Sequence, residues 1–279
     1  MEVLTKWPQT PSLFVVHDAT VWHDALPPVE SLDAIVAVDQ RCAERAAREA
    51  QGASIEIIPN PIESQRIPLT LRRRKPRSLL IYGKSGGKTS WNRHLRLAAL
   101  TRGIWRFRVL QDSQNPQSEL ARYDVVMARA RCAMEACMSG AYTLLFDRGV
   151  SGGAVTPDRV EHLQKWNFGR GVLNETLTLH RFKELLANYS RDEALSAGRM
   201  LRPLVNPALI GGRFEILYQQ CITARGQRGT PGSWHAEKMR FVQSLMKPML
   251  YPQENFPSSR RFRERQISAA PDRDSPRQQ

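Results

Sequence analysis

The apolar positions of this chain fall in short blocks separated by polar, helix-forming stretches. Leu13–Val16, Ala34–Val38, Ile55–Ile58, Ser78–Tyr82, Arg106–Leu110, Val125–Met127 and Tyr142–Phe146 each read as a short strand. The first two are apolar at consecutive positions, and the third but for Glu56, as strands buried on both faces are. Between the strands, Gln40–Gln51 reads as a helix stopped by Gly52, and Arg131–Ser139 as one stopped by Gly140. Trp91–Arg102 and Pro116–Ala121 are further helices. The pattern predicts an α/β protein with parallel sheets. Its most complete piece is Tyr123–Thr156, which reads strand, short helix, glycine stop, strand, then a Gly-rich loop. Beyond it, Pro157–Leu163, Leu179–Tyr189, Arg191–Val205 and Pro207–Ala224 read as helices. Leu185, Leu186 and Tyr189 are set at helical spacing, as are Phe214, Leu217 and Tyr218, and both groups read as core stripes.

Breaks in composition divide this pattern. Residues 1–63 form one βα region, and 64–77 a linker with Arg66, Arg72, Arg73, Arg74, Lys75 and Arg77 but no acid. The linker is expected to be a solvated connector, a cationic rim of an interdomain cleft or a membrane-surface contact, or a nuclear-localisation-like patch. Residues 78–224 form a second α/β domain. Residues 225–279 form a basic tail with one helix over Trp234–Leu250 and disorder from Pro257 onward. A complete doubly wound domain takes roughly 150 residues. The first region is therefore expected to be an incomplete one.

Charge follows the same division. The first 63 residues carry ten acids against four bases, while the whole chain is at +14. The basic middle suits a phosphate-bearing ligand, an anionic membrane surface or a nucleic acid, and charge alone does not choose. No run of eighteen apolar residues exists and the N-terminus lacks a signal-peptide core. Cys42, Cys132, Cys137 and Cys221 are scattered and read as reduced, mostly buried thiols of a cytoplasmic protein.

Candidate chemistry gathers at strand ends. Gly83-Lys84-Ser85-Gly86-Gly87-Lys88-Thr89 follows a strand and invites a phosphate-loop reading, but the position that needs the first glycine is Tyr82. Arg129, Arg131 and Glu135 follow the strand of the central unit at the edge where parallel sheets bind ligands. Glu135 also reads as the partner of Arg131 four residues earlier, and the two arginines as a solvated face. Gly152 and Gly153 lie in a loop whose amides could approach a ligand.

Glu135-Ala136-Cys137-Met138-Ser139-Gly140, with the strand and Gly-Gly that follow, resembles the donor-site signature of family 4 (group 1) glycosyltransferases. Ser12–Asp18, Asp33–Asp39 and Ile55–Glu63 resemble the last third of that family's N-terminal domain. The resemblance implies a GT-B-like fold of two Rossmann-type domains, here with the N-terminal one incomplete and a helical C-terminal extension. It implies transfer from a nucleoside diphosphate sugar with retained configuration, and no catalytic metal. Glu135 would hold the ribose, Lys84 and Lys88 the diphosphate, and His17 would line the reaction cleft. Arg129, Arg131, Gly152 and Gly153 complete the expected donor site. Two departures stand out: Met127 occupies the place of a sugar-contacting Glu, and Tyr142 that of a proline. The acceptor is expected to be lipid-linked or a saccharide, as in bacterial polysaccharide biosynthesis, with the protein in the cytoplasm or peripheral at the inner membrane face. Two other classes stay open: a non-catalytic binding scaffold of the same fold, and a basic nucleic-acid-binding protein.

Overall fold

The computed structural model describes residues 10–21, 24–27, 29, 32–50, 52–83, 90–111 and 116–227. The helix expected over 234–250 and the tail lie outside them.

Two separate sheets form. The first holds β1 (Leu13–Val16), β2 (Ala34–Ala37) and β3 (Ile55–Ile57), parallel and in that order. Helix α1 (Gln40–Glu49) connects β2 to β3, and its N-cap Asp39 accepts from the Cys42 amide at 2.7 Å. Val16, Ile35 and Ala37 pack with Cys42 and Ala46 of this helix. Val36 and Ile58 face the other way, onto the last helix among the described residues. A sheet whose strands are apolar on successive residues needs a cover on both faces, and this arrangement supplies one.

The second sheet has the order β5-β4-β6-β7-β8-β9. Strands β4 (Ser78–Tyr82), β5 (Arg106–Leu110), β6 (Val125–Ala128) and β7 (Tyr142–Asp147) are parallel. The helices between them are α2 (Ser90–Leu100), α3 (Pro116–Leu120) and α4 (Ala130–Met138). Alternate residues build two cores. Leu80, Val126, Ala128 and Leu145 join α4, while Leu79, Ile81, Val125 and Leu144 join α2. Further helices follow: α5 (Val160–Lys165), α6 (Leu179–Ala187), α7 (Arg191–Leu204) and α8 (Pro207–Gln227). Helix α8 leaves the second sheet and lays Ile210, Leu217 and Cys221 on the first. Arg213 reinforces the contact through Glu56 at 3.0 Å and the Ile57 carbonyl at 2.7 Å.

Two expectations are corrected. The Gly149–Val155 segment is not a loop but contains β8 (Val150–Ala154), antiparallel to β7, and β9 (Glu175–Thr176) pairs with it in turn. Arg148 and Gly149 make the turn with φ of 48° and 89°, the geometry of a two-residue hairpin. Gly152 permits the strand because a Cβ there would lie 2.6 Å from the Val172 carbonyl oxygen.

The basic linker is likewise not a free connector. Arg72 is buried and donates to the carbonyls of Ala121 and Ser139 and to the Ser139 hydroxyl. Thr70 N donates to the Ser139 carbonyl at 3.1 Å, and Arg202 bonds the carbonyls of Ser64, Ile67 and Met138. The linker is thus strapped along the second domain, with Arg73, Arg74, Lys75 and Arg77 still exposed.

Truncating Arg72 takes the guanidinium from the part-buried Ala121 carbonyl and from Ser139, whose carbonyl keeps only Thr70 N among the described residues, at about 1–3 kcal/mol for each group left unsatisfied. Arg72→Ala is expected to lower unfolding stability by about 3 kcal/mol in urea titration, and Arg74→Ala by less than about 0.5 kcal/mol. Equal losses would contradict the strap.

Candidate functional site

The site forms at the carboxyl edge of the second sheet, where β4, β6 and β7 end together. Strand β6 runs into Arg129, which is extended, and Ala130 then opens α4 with φ of 50°. The Ala130 amide donates to the Phe168 carbonyl at 2.7 Å, and Asn167 and Phe168 also have positive φ, at 52° and 51°. Three non-glycine residues in this sparsely populated region, meeting at one helix start, mark a backbone held by its surroundings. The Asn167 Oδ1 is buried there and meets no donor among the described residues.

Glu135 lies between the first and second turns of α4 and is buried. Its Oε2 accepts from the Tyr82 hydroxyl at 2.8 Å and its Oε1 from Arg131 Nε at 3.0 Å. Burial, with Glu135 next to it, pushes the Tyr82 hydroxyl far up, so tyrosine stays a donor. Cys132 is half-buried beside them, and burial followed by Glu135 raises its thiol. A carboxylate has about four acceptor positions, and the described residues use two of those on Glu135, which leaves two for other donors such as a ligand hydroxyl. Gly83 turns the chain away at the end of β4 with φ of 98°, and a Cβ there would lie 3.0 Å from Cys132 Sγ.

A second carboxylate organises the cations. Asp147, at the end of β7, is buried and takes Arg129 Nε at 2.9 Å and Arg170 Nε at 3.3 Å. Arg170 and Gly169 also face the first domain. A Cβ on Gly169 would lie 3.9 Å from Asp39 Oδ2. Burial works against ionisation of Asp18, yet bonds from Thr20 and the charges of Arg170 and Arg41 hold its carboxyl below the usual range. Burial raises Asp39. The N-cap side chain of α4 makes no capping bond, and the helix dipole adds positive potential beside the three arginines. The arrangement presents a buried, oriented carboxylate next to a cationic helix start.

The residues singled out in the sequence are placed as follows. Glu135 and Arg131 meet, so the pairing read from their spacing forms. Arg129 adjoins them through Asp147. His17 is exposed at the carboxyl end of β1, on the first domain's side, next to Asp18. Lys84 and Lys88 lie outside the described residues. Gly152 and Gly153 are strand residues whose space is filled by protein. A Cβ on Gly153 would meet Arg159 Nη1 at 3.1 Å, and its amide donates to Ser151 Oγ at 3.0 Å. The Gly153 amide is thus already engaged within the protein, and the two glycines lie in a strand rather than in the expected loop. Met127 is 1% exposed inside β6, facing Leu79 and Ile81, so this position does not reach the site. Asp147 and Arg170 went unread because they lie 23 residues apart and meet only through the fold.

Tyr82→Phe removes one donor from a buried carboxylate, which costs about 1.5–3 kcal/mol for a charge-assisted bond. Thermal unfolding should register about 2 kcal/mol, with the Arg131 pair intact. A loss under about 0.5 kcal/mol would mean that the bond does not hold Glu135.

No protein-family model and no curated protein matches the chain. Among solved structures it is similar to AviGT4, a glycosyltransferase involved in avilamycin A biosynthesis, at 14% identity and a TM-score of 0.42, over 80% of this chain and 78% of that one. It is also similar to TarM at 10% identity and 0.43, over 68% of this chain and 44% of TarM. A third likeness is to accessory secretory protein 1, 2 and 3 of Streptococcus pneumoniae, at 11% identity and 0.45, over 80% of this chain and 57% of that one. The chain spans about half the length of the latter two.

Proposed function

We propose that this protein binds a nucleoside diphosphate sugar at the carboxyl edge of its second sheet and transfers the sugar to a hydroxyl acceptor. The observation that carries the reading is the buried Glu135 carboxylate, oriented by Tyr82 and Arg131. Two vicinal ribose hydroxyls can donate to one such carboxylate in charge-assisted bonds. Arg129, Arg131 and Arg170, with the start of α4, would face the diphosphate. Lys84 and Lys88 would add to them, as the sequence resemblance implies. Cations placed where charge develops favour departure of the diphosphate without a bound metal. In the step, the bond from the anomeric carbon to the diphosphate oxygen breaks and one to the acceptor oxygen forms. The acceptor proton passes to the departing diphosphate. Retention of configuration and an acceptor that is a saccharide or lipid-linked are parts of this proposal. His17, on the opposite side, would contact sugar or acceptor rather than nucleotide.

A second reading is favoured by one observation. Where the family that the chain resembles has a sugar-contacting Glu, this chain has Met127, which is buried in the core and offers the donor sugar no carboxylate. A scaffold that binds the nucleotide sugar without transferring it fits that feature.

Calorimetric titration with UDP, GDP and their sugars separates these readings. One nucleotide is expected to bind, with at least a tenfold loss in Glu135→Ala and less than a twofold change in His17→Ala. Nucleotide binding without release of diphosphate on adding acceptor sugars would favour the scaffold. A folded protein that binds no nucleotide would sink both readings.

A further inference from the structure

We propose that the amino-terminal corner of the second sheet, around β5 and the end of α2, docks onto an anionic membrane surface. The proposal is independent of the donor site.

The corner combines two features that seldom occur together. The first is an excess of positive charge, in which Arg73 alone reaches an acid, Asp124 at 3.9 Å, among the described residues. Arg73, Arg74, Lys75 and Arg77 are exposed on the strap where it enters β4, and Arg77 sits beside β5 through the bond from Arg106 N to its carbonyl at 3.1 Å. Arg93, Arg96 and Arg102 are exposed along α2 and the turn after it. The acids nearby are internal. Asp124 is buried and accepts from Ser78 Oγ at 2.8 Å and from the Arg77 and Ser78 amides. Glu119 is taken by Arg108 at 2.8 Å and Arg122 at 3.5 Å.

The second feature is exposed apolar area. Nine large apolar side chains stand exposed among the described residues, and three of them are here: Leu97 at 56%, Leu100 at 45% and Trp105 at 62%. Leu97 and Leu100 share the outer face of α2 with Arg93 and Arg96, while Leu95, Ala98 and Ala99 turn inward. Gly103, at φ 80°, turns the chain and buried Ile104 anchors it, which leaves Trp105 outside at the head of β5.

Charge alone has a simpler account, since β5 is an edge strand and edges are guarded by charge. That account fails for Trp105, Leu97 and Leu100, which make an edge more adhesive. A nucleic acid would take the cations and stack on Trp105, but it offers nothing to the leucines. The boundary between headgroups and acyl chains takes all three kinds of group: aliphatic side chains, an indole and cations opposite lipid phosphate. Because the corner lies at the amino ends of β4 and β5, docking leaves the carboxyl edge clear of the bilayer.

The test is co-sedimentation of the full chain with phosphatidylcholine vesicles, with and without an equal share of phosphatidylglycerol, at physiological salt. Binding is expected only with the anionic lipid. It should fall at least tenfold in Trp105→Ser with Leu100→Ser, and as far in Arg74→Glu with Lys75→Glu. Hydrogen exchange on the unaltered chain, which no folding defect can confuse, should show slowing over residues 97–108 with anionic vesicles. Absence of binding, binding by either variant as strong as that of the unaltered chain, or no slowing there would overturn the proposal. Retention on duplex DNA without vesicle binding would overturn it in favour of a nucleic acid.

Discussion

The second half of the chain closes on one helix end. Helix α4 stops at Ser139, and Gly140 follows with φ of 79°. The Ser139 carbonyl accepts from Thr70 N and from Arg72, and a Cβ on Gly140 would lie 2.5 Å from the Thr70 carbonyl oxygen. On the other side, a Cβ on Gly198 of α7 would lie 2.5 Å from the Cys137 carbonyl oxygen. Two glycines thus let the strap and α7 close on the same turn. Ordinary side chains would hold them off. Glu135 is one turn back along this helix, so its placement follows from how that end is clamped.

Much of this was legible in the sequence, because the signals were local. Consecutive apolar positions placed the strands, and Gly52 and Gly140 ended helices with the positive φ that glycine tolerates. The spacing of Arg131 and Glu135 foretold their bond. What was hidden depends on neighbours far along the chain. Gly152 looked like loop material because nothing local reveals the Val172 carbonyl beneath it. Six linker cations looked alike, and only the fold separates Arg72, buried on carbonyls, from the exposed Arg74. Neither Asp147 nor Arg170 carries a local signal that pairs them. Their meeting, which also joins Arg129, exists only once β7 and the 169–170 turn are assembled.

Opposite charges across the two halves have structural meaning. The acid-rich first region meets cations from the second at several points. Arg213 bonds Glu56, Arg225 lies 3.6 Å from Asp33, and the charge of Arg170 acts on Asp18. Arg225 and Asp33 are the most enclosed of these pairs, with side chains 8% and 0% exposed. Such a pair gains from mutual attraction but loses hydration, and its clearer contribution is to fix which way α8 lies on the first sheet.

The two places where the chain crosses between its halves lie side by side, and Ile62 N donates to the Val205 carbonyl at 2.9 Å. Before that point Ile58 N is tied to Ala37, and from Ile62 onward the chain belongs to the core of the second half. On the return crossing, α8 begins at Pro207 and is anchored to the first sheet from Ile210. Few torsions remain unconstrained between the halves, and Pro59 and Pro61 fix two of those. A joint of two short, cross-linked strands turns about a line through both and resists sliding and twisting. The joint thus works as a pin with a single angular coordinate rather than as a loose tether, and Asp18 and Arg170 stand on opposite sides of it, near enough for the arginine's charge to act on the carboxylate.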